Sequence, residues 1–136
     1  MHWSDKYIGK PYVLGEADCA ALTIDVIEQE FKGTLPEFCK TYRENTRLKR
    51  VHQLRELSMQ ATEKTDNPVE GDIVLMNCRA RPSHIGVYCI VDKEPSVLHS
   101  MENAKMVVRH KIRDLQRYFL SVEGYYKWNK QNSQNP

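Results

Sequence analysis

Four cysteines and five histidines carry most of the reactive chemistry of this chain: Cys19, Cys39, Cys78 and Cys89, with His2, His52, His84, His99 and His110. No two cysteines form a C-x-x-C pair, so their spacing gives no zinc ribbon and no dithiol redox motif, and the reading calls for no metal and no cofactor. A thiol attacks as its thiolate, and the unpaired N–H groups at a helix N-terminus stabilise that anion. Cys19 has this setting. It follows Asp18, a good N-cap, and opens a stretch in which Leu22, Val26, Ile27 and Phe31 fall on one helical face, with Gly33 as the stop. A thiol that titrates at about 8.5 in water can fall to about 3.5–7.5 at a helix start beside an imidazolium. Cys78, just after Ile73–Met76, and Cys89, inside IGVYCIV, read as small apolar fillers of strands, and Cys39 in LPEFCKTY as packing beneath a loop.

The imidazole that would take the proton of such a thiol must come from a distant part of the chain. His84 opens the strand-like run HIGVYCIV, and His99 closes the next one, VLHS. Neighbouring antiparallel strands would bring these two rings together, with His84 as base and His99 holding its tautomer. His2 reads as part of a frayed terminus, His52 as the polar side of a helix, and His110, between Arg109 and Lys111, as a surface residue. Spacing alone leaves two readings open for Cys19: a nucleophile, or a buried thiol at a helix start.

The elements that must hold these residues follow an α+β order. After the Asp18–Phe31 helix, Leu48, Val51, Leu54 and Leu57 recur every three residues and predict a second amphipathic helix over 46–59. Thr62–Pro68 reads as a polar connector. Beyond it, Ile73–Met76, Ile85–Val91, Val97–Ser100 and Met106–Lys111 are short β-branched or apolar runs separated by turn residues, as in an antiparallel sheet. A short helix over Ile112–Leu120 and a strand over Tyr125–Trp128 complete the pattern, and 131–136 reads as a disordered polar tail. The 136 residues fit one domain, taken as 1–130 with a helical insertion at 34–68.

Composition limits what the chain can do. Hydrophobic residues make up 40% and charged residues 28%, which suits a globular domain rather than a disordered or fibrous one. A net charge of +2 gives no global field toward nucleic acid. No run approaches the roughly 20 apolar residues of a membrane span. The first residues lack the charged and apolar regions of a secretory signal, so the expected location is the cytoplasm at synthesis, with reduced thiols. Lys40, Arg43, Arg47, Lys49, Arg50 and Arg55, with Glu44 alone as a counter-charge in that stretch, read as a solvated helix face or a docking surface for an anionic partner.

Five blocks occur in order: Tyr7-Ile-Gly-Lys-Pro-Tyr12, Gly15-Glu-Ala-Asp-Cys-Ala-Ala-Leu22, Glu70-Gly-Asp-Ile-Val74, Ser83-His-Ile-Gly-Val-Tyr88 and Val97-Leu-His-Ser100. Together they resemble the signature blocks of the NlpC-type cysteine peptidases. The closing Glu123-Gly-Tyr-Tyr-Lys-Trp128 also resembles the end of NlpC-like proteins encoded beside bacteriophage tail genes. The resemblance implies a papain-like fold, with N-terminal helices packed on a central antiparallel sheet. It also implies Cys19 as nucleophile, His84 as general base and His99 as the third member that orients it. Tyr12 matches a tyrosine that helps stabilise the oxyanion, and Asp18 an acidic residue that holds a substrate amine. The implied substrate is an amide bond in a peptidoglycan stem peptide, and the implied partners are other tail proteins of a phage or prophage.

One departure bears on specificity. The family's usual Asp-Cys-Ser-Gly reads Asp18-Cys19-Ala20-Ala21, without the serine that contacts a substrate carboxylate. Arg79 and Arg81 precede His84 and could line the cleft, where they would favour a carboxylate-bearing substrate. Two other functions use the same residues: a non-catalytic tail assembly factor, and an acyltransferase whose thioester is opened by an amine instead of water.

Overall fold

A computed structural model describes residues 1–13, 18–31, 62–78 and 81–128. The 46–59 helix, Cys39, His52, Arg79, the basic stretch from Lys40 to Arg55 and the 131–136 tail lie outside the described residues. Among those described, six strands form one antiparallel sheet: β1 Thr62–Thr65, β2 Ile73–Cys78, β3 Arg81–Val91, β4 Glu94–Met101, β5 Met106–Lys111 and β6 Leu120–Trp128. Their order across the sheet is β1-β6-β2-β3-β4-β5. With helix α1 at Cys19–Glu30, the fold is α+β, as the sequence predicts.

Alternation of side chains along each strand divides the core into two layers. On one face Ile73, Leu75, Ile85, Val87, Leu98 and Val107 pack against α1 through Ile24, Ile27, Leu22 and Val26. On the other, Val74, Met76, Tyr88 and Val97 pack against Leu115 and Leu120. Leu115 belongs to a 3-10 helix, Ile112–Tyr118, where the sequence predicts a short helix. Both faces of the central strands are thus covered, which accounts for their nearly continuous apolar runs.

The N-terminal segment departs from the frayed end expected of it. Trp3–Tyr7 forms a 3-10 helix whose N-cap is His2, with the imidazole accepting from the Ser4 N–H and Asp5 returning to the His2 N–H. His2 Nε2 also lies 2.6 Å from Glu70 Oε1. Tyr7 is buried against α1 and the sheet, and the chain then runs beside β5. There the Gly9 N–H donates to the Val107 carbonyl, the Val107 N–H to that of Lys10, and the Tyr12 N–H to that of Lys105. These bonds cover one edge of the sheet that would otherwise present unpaired backbone groups.

The Glu70-Gly71-Asp72 block is a structural junction. Glu70 accepts from the Ile90 N–H as well as meeting His2. Gly71 has a φ of +95°, and a Cβ there would lie 2.8 Å from the Phe31 ring, so glycine alone suits the backbone and the close approach. Asp72 is buried, and its carboxylate receives the Val69 N–H at 2.8 Å and the Lys127 ammonium at 2.7 Å. Loop, β6 and N-terminal helix are fastened together here.

Candidate active site

The local sequence explains the position of Cys19. Asp18 is the N-cap of α1, and its Oδ1 accepts the Ala21 N–H at 3.0 Å. Its backbone carbonyl accepts the Leu22 N–H, so Cys19 is the first helical residue, at the positive end of the helix dipole. The Thr23 hydroxyl donates to the Cys19 carbonyl at 2.9 Å. The thiol is buried, in one apolar cluster with Ile73, Leu75, Ile85 and Tyr126.

That cluster sets the level of Cys19 along the sheet. Leu75 and Ile85 are register partners, and the next pair is Met76 and His84. Alternation turns Ile85 toward α1 and the His84 ring to the opposite face. The histidines gather on that second face. His84 Nε2 lies 2.7 Å from His99 Nδ1, with the rings edge to face. His99 Nε2 lies 3.0 Å from His110 Nδ1. The His110 ring stacks on Tyr118 with centroids 3.8 Å apart and an 11° interplanar angle.

The sequence pairs His84 with His99, and the structure brings these two together. It corrects the reading of His110 as a plain surface residue. Within β5, Arg109 and Lys111 point one way and His110 the other, toward Tyr118 at the end of the 3-10 helix. The available signal was the register: His110 faces Val97, two residues before His99. Arg109 instead reaches Asp5 and the Ser4 hydroxyl, tying β5 to the N-terminal helix.

Burial decides the protonation of this set. It pushes His84 down to about 4, with the nearby His110 acting in the same direction. His99 is fully buried and is held well below the ordinary histidine range by burial, reinforced by His84 and His110. His110 is also lowered by burial, against the pull of the Asp114 carboxylate. Near neutral pH the three rings are therefore uncharged. Burial pushes the Cys89 thiol up to about 12, in keeping with an inert strand residue.

Three other expected site residues, Tyr12, Asp18 and Arg81, are among those described. Tyr12 is half-buried, and its N–H is held by Lys105 in the β4–β5 turn, at the end of the sheet toward which His99 lies. Asp18 is 1% exposed, and one carboxylate oxygen is occupied in capping. Arg81 opens β3 opposite Cys78. Among the described residues, no group of three or more His, Cys, Asp or Glu side chains is arranged to hold a metal ion, and no helix is long and apolar enough to cross a membrane.

Neutral imidazoles in a chain and a thiol at a helix start are groups suited to proton transfer and nucleophilic attack. The family model described as NlpC/P60 family matches residues 9–127, from the segment beside β5 to the end of β6. No curated protein and no solved structure matches the chain.

Proposed function

The chain belongs to the NlpC/P60 family, whose members are generally cysteine peptidases acting on cell-wall peptides, and from that premise we propose that it hydrolyses an amide bond in a peptidoglycan stem peptide. The observation that carries this reading is the His84 Nε2 to His99 Nδ1 contact of 2.7 Å. It engages Nε2 of His84, and this reading assigns the other nitrogen, Nδ1, to the proton of Cys19. α1 and the histidines pack on opposite faces of the sheet, so this reading requires thiol and imidazole to come together around its end.

In this mechanism His84 Nδ1 takes the Cys19 proton, and the thiolate attacks the carbonyl carbon of the amide. The helix-start N–H of Cys19 and the Tyr12 hydroxyl stabilise the oxyanion. His84 then gives its proton to the leaving amine as the C–N bond breaks, forming a thioester. Water, deprotonated by His84, attacks the thioester and releases the acid and the free thiol. Asp18 receives a substrate amine, and Arg79 and Arg81 favour a substrate carboxylate. Ala20, in place of the family's usual serine, shifts carboxylate recognition toward those arginines.

The resemblance of Glu123–Trp128 to NlpC-like proteins encoded beside tail genes supports delivery by a phage or prophage tail, which detection of the chain in purified tails would test. The activity itself is tested with purified protein and defined muropeptides. Mass spectrometry should show a hydrolysed stem peptide for the wild type and none for Cys19→Ala; equal cleavage by both would overturn the assignment. Appearance of an amine-linked product instead would identify acyl transfer. Absence of any product from the wild type, with assembly failing only when the chain is deleted, would identify a structural role.

A further inference from the structure

We propose that His110 is a positioning residue of the active site, completing a three-histidine hydrogen-bonded chain that fixes the tautomer of His84 through His99. The inference rests on the reading of His84 as the general base. A neutral imidazole has one N–H and one acceptor nitrogen. His99 contacts a neighbour through each nitrogen, Nδ1 with His84 and Nε2 with His110, so it must donate to one and accept from the other. The three rings therefore have only two consistent arrangements. In the first, His84 Nε2–H donates to His99 Nδ1, and His99 Nε2–H donates to His110 Nδ1. His84 Nδ1 then keeps its lone pair and can accept the thiol proton. In the second, every proton is reversed, His110 Nδ1–H donates inward, and His84 carries its hydrogen on Nδ1, where it cannot act as a base.

The outer ring decides between them, because His110 Nδ1 must be an acceptor for the competent arrangement to exist. Its position favours that role. The Tyr118 ring stacks flat on His110 and holds it in the plane needed to meet His99. His110 faces Asp114 in the 3-10 helix beside it, while His99, between the other two rings, is fully buried. When His84 becomes imidazolium during catalysis, its positive charge is polarised through His99 toward this carboxylate-facing end. His99 is fully buried and cannot reach water for the same purpose.

The experiment uses His110→Phe, which keeps an aromatic ring against Tyr118 but removes the acceptor, and His110→Asn, whose amide oxygen can replace Nδ1. Nitrogen-15 NMR of the imidazoles in the wild type should show His84 and His99 protonated on Nε2. In His110→Phe the His99 tautomer should become mixed, and in His110→Asn it should return to the wild-type form. On a cleaved muropeptide, His110→Phe should lower kcat by about tenfold or more with KM little changed, and Asn should recover most of it; a wrong tautomer in a serine protease triad costs about 10⁴. Unchanged His99 tautomer and kcat in a folded His110→Phe protein would overturn the proposal, as would loss of activity that Asn does not restore while the tautomer stays fixed. If the wild type cuts no wall peptide, the peptidase reading fails, and the NMR comparison still decides the tautomer chain.

Discussion

Gly86 and His99 lie so close across the β3–β4 pair that a Cβ on Gly86 would stand 2.9 Å from the His99 Cβ. The same atom would be 2.7 Å from both the Leu98 carbonyl oxygen and Val97 Cγ2. Gly86 is two residues from His84 on the same face, so its missing side chain is what allows the two rings to meet at hydrogen-bond distance. Gly86→Ala should push β4 away from β3, at a cost of about 1–3 kcal/mol typical of overpacking. Urea unfolding should show the loss, and muropeptide cleavage should fall further than stability does, because His99 moves away from His84. Equal activity and stability in wild type and variant would show that the strand pair adapts without disturbing the histidines.

The thiols should differ sharply in reactivity. Cys19 sits at a helix start, whereas Cys89 is fully buried in β3 and its thiol is pushed up to about 12. A small alkylating agent at mildly acidic pH should label Cys19 first and leave Cys89 unmodified in the folded protein, as peptide mass mapping can read. His84→Ala should slow labelling of Cys19 while the denatured protein labels evenly. Preferential labelling of Cys89 would contradict the placement of the two thiols.

The histidine set predicts a stability profile with a definite sign. His84 is held at about 4 by burial, below an ordinary value of 6.5. His99 and His110 are shifted in the same direction. Between these values the unfolded chain binds protons that the native chain refuses, so unfolding is favoured as pH falls. The stability is complete above about 6.5 and declines progressively toward pH 4. Denaturant midpoints measured across this range should fall with acid in the wild type. His110→Asn should show a shallower fall, since one lowered imidazole is gone.

Legibility in the sequence followed apolar content. The helical spacing of Leu22, Val26 and Ile27 behind Asp18 predicts α1, and the run Met106–Lys111 matches β5 at both ends. β1, by contrast, consists of Thr-Glu-Lys-Thr and reads as a connector, because no apolar side chain marks it; it is an edge strand held by its ladder to β6, from Thr62 opposite Trp128 to Thr65 opposite Tyr125. β6 begins five residues before the expected Tyr125, with Glu123 and Gly124 masking the pattern where the pairing with β2 shifts register. The helix-start position of Cys19 and the pairing of His84 with His99 were legible from residue type and order, and the family match spans all three positions. His110 was hidden because its charged neighbours, Arg109 and Lys111, describe the other side of its strand. His2 was hidden because a terminal position says nothing of Glu70, 68 residues away in sequence.

Asp18 allows capping and substrate binding to be separated by one pair of variants. Its carboxylate caps α1 through the Ala21 N–H, and removal of such a cap costs about 1 kcal/mol. Asp18→Ala should therefore lower the unfolding free energy and, by loosening the first turn, disturb Cys19 as well. Asparagine caps nearly as well but carries no charge. Asp18→Asn should keep the stability of the wild type, yet raise KM for muropeptides with a free amine if that amine meets the carboxylate. Because the N-cap charge also favours a neutral thiol over a thiolate one residue away, Asn should leave Cys19 at least as easily alkylated as in the wild type. A KM that is unchanged in Asp18→Asn, with stability intact, would confine Asp18 to holding the helix on which the nucleophile stands.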